Sequence, residues 1–124
     1  MTSSHDQMVI VQKYEAFINY FYPVAQNMPR QHGVVKEMFT RDMLQQVNLF
    51  IVAGRSNQIG RLYEADAGLT QLRYWLRFMQ HKDRKLITLR QHQVGSMMLA
   101  ETGAILGSWI SHRRDSSKVQ VGPL

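Results

Sequence analysis

Apolar residues recur at helical spacing along four stretches of the chain, and each stretch leaves one side of the predicted helix polar. The first stretch predicts a helix over residues 7–28, with core positions at Ile10, Tyr14, Phe17, Ile18, Phe21, Ala25 and Met28. Pro23 lies inside this helix and is expected to kink or break it. Pro29 and Gly33 are expected to end it.

The next two stretches predict helices over residues 32–54 and 58–80, separated by turn-forming residues that include Gly54 and Asn57. The second helix has its expected core face at Phe39, Met43, Val47 and Phe50. The third has its expected core face at Leu62, Ala65, Leu69, Leu72, Leu76 and Met79.

A polar segment, residues 81–85, separates the third helix from the fourth. Thr88 and Gln91 have the spacing of a capping box, in which each side chain binds a backbone N–H at the start of a helix. We therefore expect the fourth helix over residues 89–112. Its expected core positions are Val94, Met98, Ile105 and Trp109, and residues 113–124 are expected to form a polar, frayed tail.

These four segments point to one fold class. No alternation of apolar and polar residues typical of β-strands competes with the helical pattern. Four amphipathic helices of about 20 residues joined by short connections favour an all-α, antiparallel up-down-up-down four-helix bundle. We find no internal repeat, and we expect a single domain over residues 1–124.

Several apolar and small residues remain after the core faces are assigned. The third helix carries a second stripe at Gly60, Tyr63, Ala67, Tyr74 and Phe78, and the run 49–54 is apolar on every side. The fourth helix has a stripe of small residues at Ser96, Ala100, Gly103, Gly107 and Ser111. Together they predict a homo-oligomer with Tyr63, Tyr74 and Phe78 at its interface. Tight packing within one bundle is the alternative for the small-residue stripe.

The composition indicates a reducing compartment and no membrane anchor. Cysteine is absent, so no disulfide can form, and this fits the cytoplasm. The first residues lack the pattern of a signal peptide, and no run of about 18 apolar residues free of charge occurs. We therefore expect a soluble, cytoplasmic protein.

Positive charge is concentrated in the second half of the chain. Fifteen Lys and Arg residues against nine Asp and Glu give a formal net charge of +6. Residues 1–72 hold six of each sign, whereas residues 73–124 hold nine basic and three acidic residues. Such a field favours a polyanionic partner, although a surface that only confers solubility is the alternative.

The segment 73–78, RYWLRF, is the strongest candidate for binding nucleic acid. Arg73 and Arg77 lie one helical turn apart beside aromatic residues, and a guanidinium group both grips phosphate and stacks on bases. In the alternative interpretation, these arginines pair with carboxylates such as Asp66. The remaining candidate binding residues are Lys82, Arg84, Lys85, Arg90, Arg113 and Arg114, and Lys118 extends the same charge into the tail.

Motifs for catalysis and for metal or cofactor binding are missing from the sequence. The five histidines are scattered, and none stands at metal-ligand spacing from another histidine or a carboxylate. Neither GxSxG nor HExxH occurs, and no glycine-rich phosphate loop follows a predicted strand. We therefore expect a protein that is not an enzyme and that holds no cofactor or metal.

Four blocks of the sequence closely resemble the accessory variability determinant proteins of diversity-generating retroelements. These blocks are DQMVIVQKYE at 6–15, YPVAQNMPRQHGVVKEMF at 22–39, LFIVAGRSNQIGRLYEADAGLTQLRYWLRF at 49–78 and GAILGSWI at 103–110. The resemblance implies a four-helix bundle that assembles into a five-membered ring with basic surfaces. It also implies partnership with a reverse transcriptase and its template RNA, or an RNA–DNA hybrid, in adenine-directed mutagenic copying of a target gene.

Arg73 and Arg77 lie inside a matching block, so the resemblance implies a basic-surface role for them. The blocks that carry the resemblance do not extend into the segments 80–91 and 113–124, so the candidate residues there rest on charge alone. Helical bundle proteins encoded within intervening sequences of bacterial large-subunit ribosomal RNA share the fold and the basic character, and are the competing family. A basic helical oligomer that acts purely as a protein scaffold is the alternative function.

Overall fold

Residues 2–121 fold into four long helices and one short 3₁₀ turn. The structure, a computed structural model, describes the backbone of residues 2–121 and the side chains of residues 5–115. In chain order the elements are α1 (Thr2–Gln26), the 3₁₀ turn (Arg30–His32), α2 (Gly33–Arg55), α3 (Ile59–Gln80) and α4 (Leu89–Val121). The predicted all-α class with four helices is confirmed.

The helices lie side by side in a closed square. Each of α1–α2, α2–α3, α3–α4 and α4–α1 is a packed pair, whereas over residues 2–121 the backbones of diagonally opposite helices stay apart. Because short connections join the helices, neighbours along the chain run antiparallel. One end of the bundle, called here the α3–α4 end, holds the α1–α2 connection and the α3–α4 loop. The other, the α2–α3 end, holds the α2–α3 loop.

Aromatic rings from α1 and α2 fill the centre of the bundle. Phe17 and Phe21 have ring centroids 4.7 Å apart, and Phe39 meets the edge of Phe21 at 6.1 Å. Burial of rings such as these removes a large apolar area from water and stabilises the bundle. The core positions predicted for α1 and α3 are buried, except that Ile18 is half-buried.

Two polar side chains of the core donate hydrogen bonds to backbone carbonyl oxygens. The Tyr14 hydroxyl donates to the Met43 carbonyl oxygen at 2.6 Å, and Gln46 Nε2 donates to the Ala65 carbonyl oxygen at 2.8 Å. Gln46 fits here because residue 68 is glycine. Its Oε1 occupies the space that a β-carbon on residue 68 would fill. The prediction for α2 missed Gln46 and placed Val47, which is half-buried, in the core instead.

Only one of the four core positions predicted for α4 is fully buried, although Met98 and Ile105 pack against the core. Trp109 is buried as predicted, but Val94, Met98 and Ile105 are only half-buried. The buried row lies about one residue further along, at Gly95, Leu99, Thr102, Leu106 and Trp109.

Two local features explain this shift of the α4 core face. Gly95 lets the rings and methyl groups of α1 and α3 approach, since a β-carbon there would stand 2.7 Å from the Phe21 ring and 2.9 Å from Leu76. Thr102 can be buried because its hydroxyl donates to the Met98 carbonyl oxygen at 3.0 Å.

The capping box at the start of α4 is confirmed. Thr88 N donates to Gln91 Oε1 at 2.9 Å, and Gln91 N donates to Thr88 Oγ1 at 3.0 Å. Other predicted boundaries need correction. Helix α1 begins at Thr2 and continues through Pro23 without a break, so the break allowed for at that position does not occur.

The polar tail predicted for residues 113–124 is helical over most of its length. Helix α4 continues to Val121, because no glycine or proline follows Gly107 until Gly122 and Pro123. Residues 122–124 and the Lys118 side chain lie outside the described part of the chain.

Candidate nucleic-acid interface

Arg73 and Arg77 project from the exposed side of α3, where it borders α4. With Thr70 and Tyr74 they line a shallow concavity of about 300 Å³. The Arg77 guanidinium carbon lies 5.7 Å from the centre of the Tyr74 ring, within cation–π range. Arg73 lies across α4, with Nη2 2.8 Å from where a β-carbon on Gly103 would stand. This arrangement offers two cations and an aromatic face to one ligand.

Neither arginine is neutralised by a described carboxylate. Lys13, Arg41 and Arg61 form ion pairs with Glu101, Glu37 and Glu64, whereas Arg73 and Arg77 form none with the side chains of residues 5–115. Asp66, the partner suggested in the alternative interpretation, is exposed and pairs with neither Arg73 nor Arg77. The two guanidinium groups are therefore available to an anion from outside the chain.

Four other candidate cations are exposed. Lys82 and Lys85 lie in the α3–α4 loop, Arg90 is the second residue of α4, and Arg114 lies near the opposite end of the bundle. None of the four forms an ion pair with a described side chain. A rise of about 1.5 Å per residue separates Arg90 from Arg114 by about 36 Å along α4. The candidates therefore do not form one cluster but a field along the molecule.

Arg84 has a structural role that charge alone did not reveal. Its Nε donates to the Phe78 carbonyl oxygen at 3.0 Å, and its guanidinium carbon lies 3.8 Å from the centre of the Phe78 ring. The side chain thus covers the last turn of α3 and folds the α3–α4 loop against it.

Arg113 joins α4 to the α2–α3 loop. Its Nη2 donates to the Ala53 carbonyl oxygen at 3.1 Å, and its Nη1 donates to the Gln58 carbonyl oxygen at 3.3 Å. Burial lowers the pKa of the Arg113 guanidinium, and the negative charge of Asp6 opposes this shift. Arg113 therefore holds α4 against the α2–α3 loop and the end of α2, whereas its neighbour Arg114 is exposed.

The three candidate interface residues of α3 do not share one environment. Tyr63 and Tyr74 are each 46% exposed, whereas Phe78 is half-buried between Arg84 and Trp75, whose ring centre lies 5.7 Å away. Further apolar side chains are exposed on α2, where Val34 is 72% exposed and Ile51 37%. Within the single chain these surfaces are uncovered.

Trp75 was missed as a core residue, because it stands outside the row that the α3 periodicity marks. It is only 6% exposed, and its indole N–H donates to Asp42 Oδ2 at 2.7 Å. The N–H of a buried tryptophan usually binds an acceptor, which Asp42 supplies here, whereas the buried Trp109 N–H has no partner among the described residues. The Trp75–Asp42 pair fixes α2 against α3 directly behind Tyr74.

The described residues add two findings on other classes of site. Among them, no three His, Cys, Asp or Glu side chains come close enough together to hold a metal ion. No helix in the described part of the chain combines the length and the apolar character needed to cross a bilayer.

Comparison with known proteins gives the family. No curated protein matches the sequence significantly. A family model described as bAvd-like matches residues 8–113, which include all of α2 and α3, most of α1 and α4, and both Arg73 and Arg77. The chain therefore belongs to the bAvd-like family, the accessory variability determinant relatives that its sequence blocks resemble.

Proposed function

We propose that this protein is a non-enzymatic accessory factor of a diversity-generating retroelement, which binds the element's reverse transcriptase and template RNA during mutagenic cDNA synthesis. Family membership over residues 8–113 carries this proposal. The reaction itself belongs to the polymerase, and this protein contributes by holding the RNA, or the RNA–DNA hybrid formed on it, in position.

The unpaired cations on α3 support the RNA-binding part of the proposal. Arg73 and Arg77 lie one turn apart, free of carboxylate partners, with Tyr74 between them. Phosphate oxygens accept the guanidinium hydrogen bonds, and Tyr74 is left to the subunit contact proposed below. Contacts of this kind follow the backbone of the nucleic acid and read little sequence.

The uncovered apolar surfaces support assembly into a homo-oligomer, which we propose to be the five-membered ring that the family resemblance implies. Tyr63 and Tyr74 on α3, and Val34, Met38, Leu44 and Ile51 on α2, are the exposed residues that such an assembly would cover. Several subunits that hold one RNA would raise its effective concentration at the polymerase.

Reconstitution with the reverse transcriptase encoded beside the gene tests the proposed function. The yield of cDNA and adenine misincorporation are measured with wild-type protein, with Arg73→Gln/Arg77→Gln, and with Arg41→Gln/Arg61→Gln. The last pair removes the same charge from exposed arginines that already pair with carboxylates. We expect the first pair to reduce yield strongly and the control pair to leave it close to wild type. Equal yield in all reactions, including one without the protein, would favour a scaffold instead.

A further inference from the structure

A second polar cavity lies at the α3–α4 end of the bundle, away from the concavity on α3. It has a volume of about 370 Å³ and opens between the α1–α2 connection and the α3–α4 loop. Its apolar wall includes Pro23, Met28 and Leu86, and its polar wall includes Gln31, Arg84 and Lys85. We call this cavity the end cleft.

The end cleft combines positive charge with hydrogen-bonding amides and contains no carboxylate among its lining residues. The amide groups of Asn27 and Gln31 and the Lys85 ammonium group form no hydrogen bond or ion pair with the described side chains or backbone. These groups can therefore meet a ligand without first breaking an internal contact.

Arg84 is already oriented at the wall of the end cleft. Its Nε is bound to the Phe78 carbonyl oxygen, and the Phe78 ring supports the guanidinium plane. Because the described residues make no hydrogen bond to its two terminal nitrogens, those nitrogens keep their donor capacity. A guanidinium group held in this way presents a parallel pair of donors to a phosphate.

Lys85 is held in an unfavourable backbone conformation beside the cleft. Its φ is 51°, and in the described chain it is the only non-glycine residue with a positive φ. Glycine or asparagine would adopt this conformation at lower cost. Residues in such conformations cluster at ligand sites. The turn holds this one by a hydrogen bond from Lys85 N to the His81 carbonyl oxygen at 2.8 Å, and the lysine side chain stays exposed at the cleft.

We propose that the end cleft binds one phosphorylated nucleotide unit, with the base against the apolar wall and the phosphate on Arg84 and Lys85. The volume lies at the lower end of the range for small-ligand pockets, which suits a mononucleotide. The paired apolar and cationic walls match the two halves of a nucleotide. The proposal rests on the proposed function for its expected source, a nucleotide of the bound RNA, and a free nucleotide would present the same chemistry.

NMR of methyl-labelled methionine in the intact protein tests the end cleft. Met28 lines it, whereas Met43 is buried in the core and Met97 is exposed on α4. We expect 5′-AMP at millimolar concentration to shift the Met28 methyl signal saturably and to leave the other two unchanged. Adenosine and inorganic phosphate should each bind about tenfold more weakly, because each supplies only half of the contacts. An unmoved Met28 signal would overturn the proposal, and so would phosphate that binds as well as AMP.

Two substitutions and their matched controls locate the binding. Lys85→Asn removes the cation from a position whose backbone suits asparagine, and Gln31→Glu places a carboxylate at the exposed rim without a change of shape. Each should weaken AMP binding about tenfold, whereas the same changes outside the cleft, Lys13→Asn and Gln12→Glu, should change it less than about twofold. Equal affinity in all four variants would contradict the proposal.

Binding of single-stranded RNA, with AMP as competitor, distinguishes the two sources and the two proposals. If AMP displaces RNA, the cleft holds a nucleotide of the strand, and if AMP binds without displacing RNA, it holds the free nucleotide. If RNA binds through Arg73 and Arg77 but AMP does not shift the Met28 signal, the cleft proposal is rejected and the proposed function stands. If AMP binds but RNA does not, the cleft proposal stands and RNA binding is rejected.

Discussion

At the scale of single residues, two glycines of α4 predict opposite effects of the same substitution. A β-carbon on Gly95 would stand 2.7 Å from the Phe21 ring, whereas one on Gly107 would meet nothing within 4 Å. Gly95→Ala should therefore destabilise the fold by about 1–3 kcal/mol through overpacking. Gly107→Ala should stabilise it by up to about 1 kcal/mol, since alanine favours the helix.

Urea denaturation of the two alanine variants at one protein concentration checks this pair. Stabilisation by both alanines would show that Phe21 and Leu76 can move away from residue 95 without cost. Destabilisation by Gly107→Ala would show that an oligomer contact, absent from the single chain, uses the space beside that glycine.

Tyr14 gives the fold a defined response to alkaline pH. Burial raises the pKa of its hydroxyl far above the ordinary value of 10.0, and the charge of Asp42 adds to the shift. The folded protein keeps the proton where the unfolded chain releases it. This contribution to stability is therefore complete below pH 10 and falls above it, by up to about 1.4 kcal/mol per pH unit.

Tyr14→Phe should lower the free energy of unfolding at neutral pH by about 1 kcal/mol, because the hydrogen bond to the Met43 carbonyl is lost. Above pH 10 its stability should fall less steeply than that of wild type. Denaturation curves measured across this pH range, with the exposed Tyr63→Phe as control, check both effects. Parallel pH dependence in wild type and Tyr14→Phe would refute the assignment to Tyr14.

At the scale of helices and loops, the neighbouring arginines 113 and 114 of α4 should differ in what they contribute to stability. Arg113→Gln breaks the bonds to the Ala53 and Gln58 carbonyl oxygens and should cost about 1–3 kcal/mol of stability. The exposed Arg114→Gln should change stability by less than about 0.5 kcal/mol. Thermal unfolding of both variants measures the two stability changes. Equal losses of stability would contradict the structural role of Arg113.

The helices themselves could be predicted, because periodicity, turn residues and the capping box of Thr88 and Gln91 are local signals. The register of α4 could not. Two apolar rows run side by side along that helix, and the choice between them depends on how Gly95 receives Phe21 from α1. Contacts between distant parts of the chain, such as the Trp75–Asp42 hydrogen bond, produce no periodic pattern in the sequence from which they could be predicted.

The candidate site could be predicted only in part, for the same reason. The sequence marks Arg73 and Arg77 by their spacing and charge, and the structure leaves both exposed and unpaired. The sequence also predicts Arg84 and Arg113 as binding residues from their charge, yet both donate hydrogen bonds to backbone carbonyl oxygens. Whether an arginine also binds the fold depends on which carbonyls lie nearby, and only the folded chain supplies them.

At the scale of the whole molecule, the uncovered faces predict self-association. Tyr63→Glu/Tyr74→Glu places two charges on the exposed face of α3 and should dissociate the assembly. Tyr22→Glu, at a tyrosine of α1 that is 40% exposed, is the control and should leave it intact. Light scattering at micromolar concentration measures the mass. A wild-type mass equal to one chain would rule out the oligomer.

The salt dependence of RNA binding tests the central claim most directly, because it counts the phosphate contacts. Each cation that binds a phosphate of single-stranded RNA contributes about 0.7 to the slope of log affinity against log salt concentration. For Arg73→Gln/Arg77→Gln, checked to be folded and of wild-type mass, we predict weaker binding and a slope shallower by about 1.4. The control pair Arg41→Gln/Arg61→Gln should keep the wild-type slope. An unchanged affinity and slope in Arg73→Gln/Arg77→Gln would contradict an RNA-binding surface on α3.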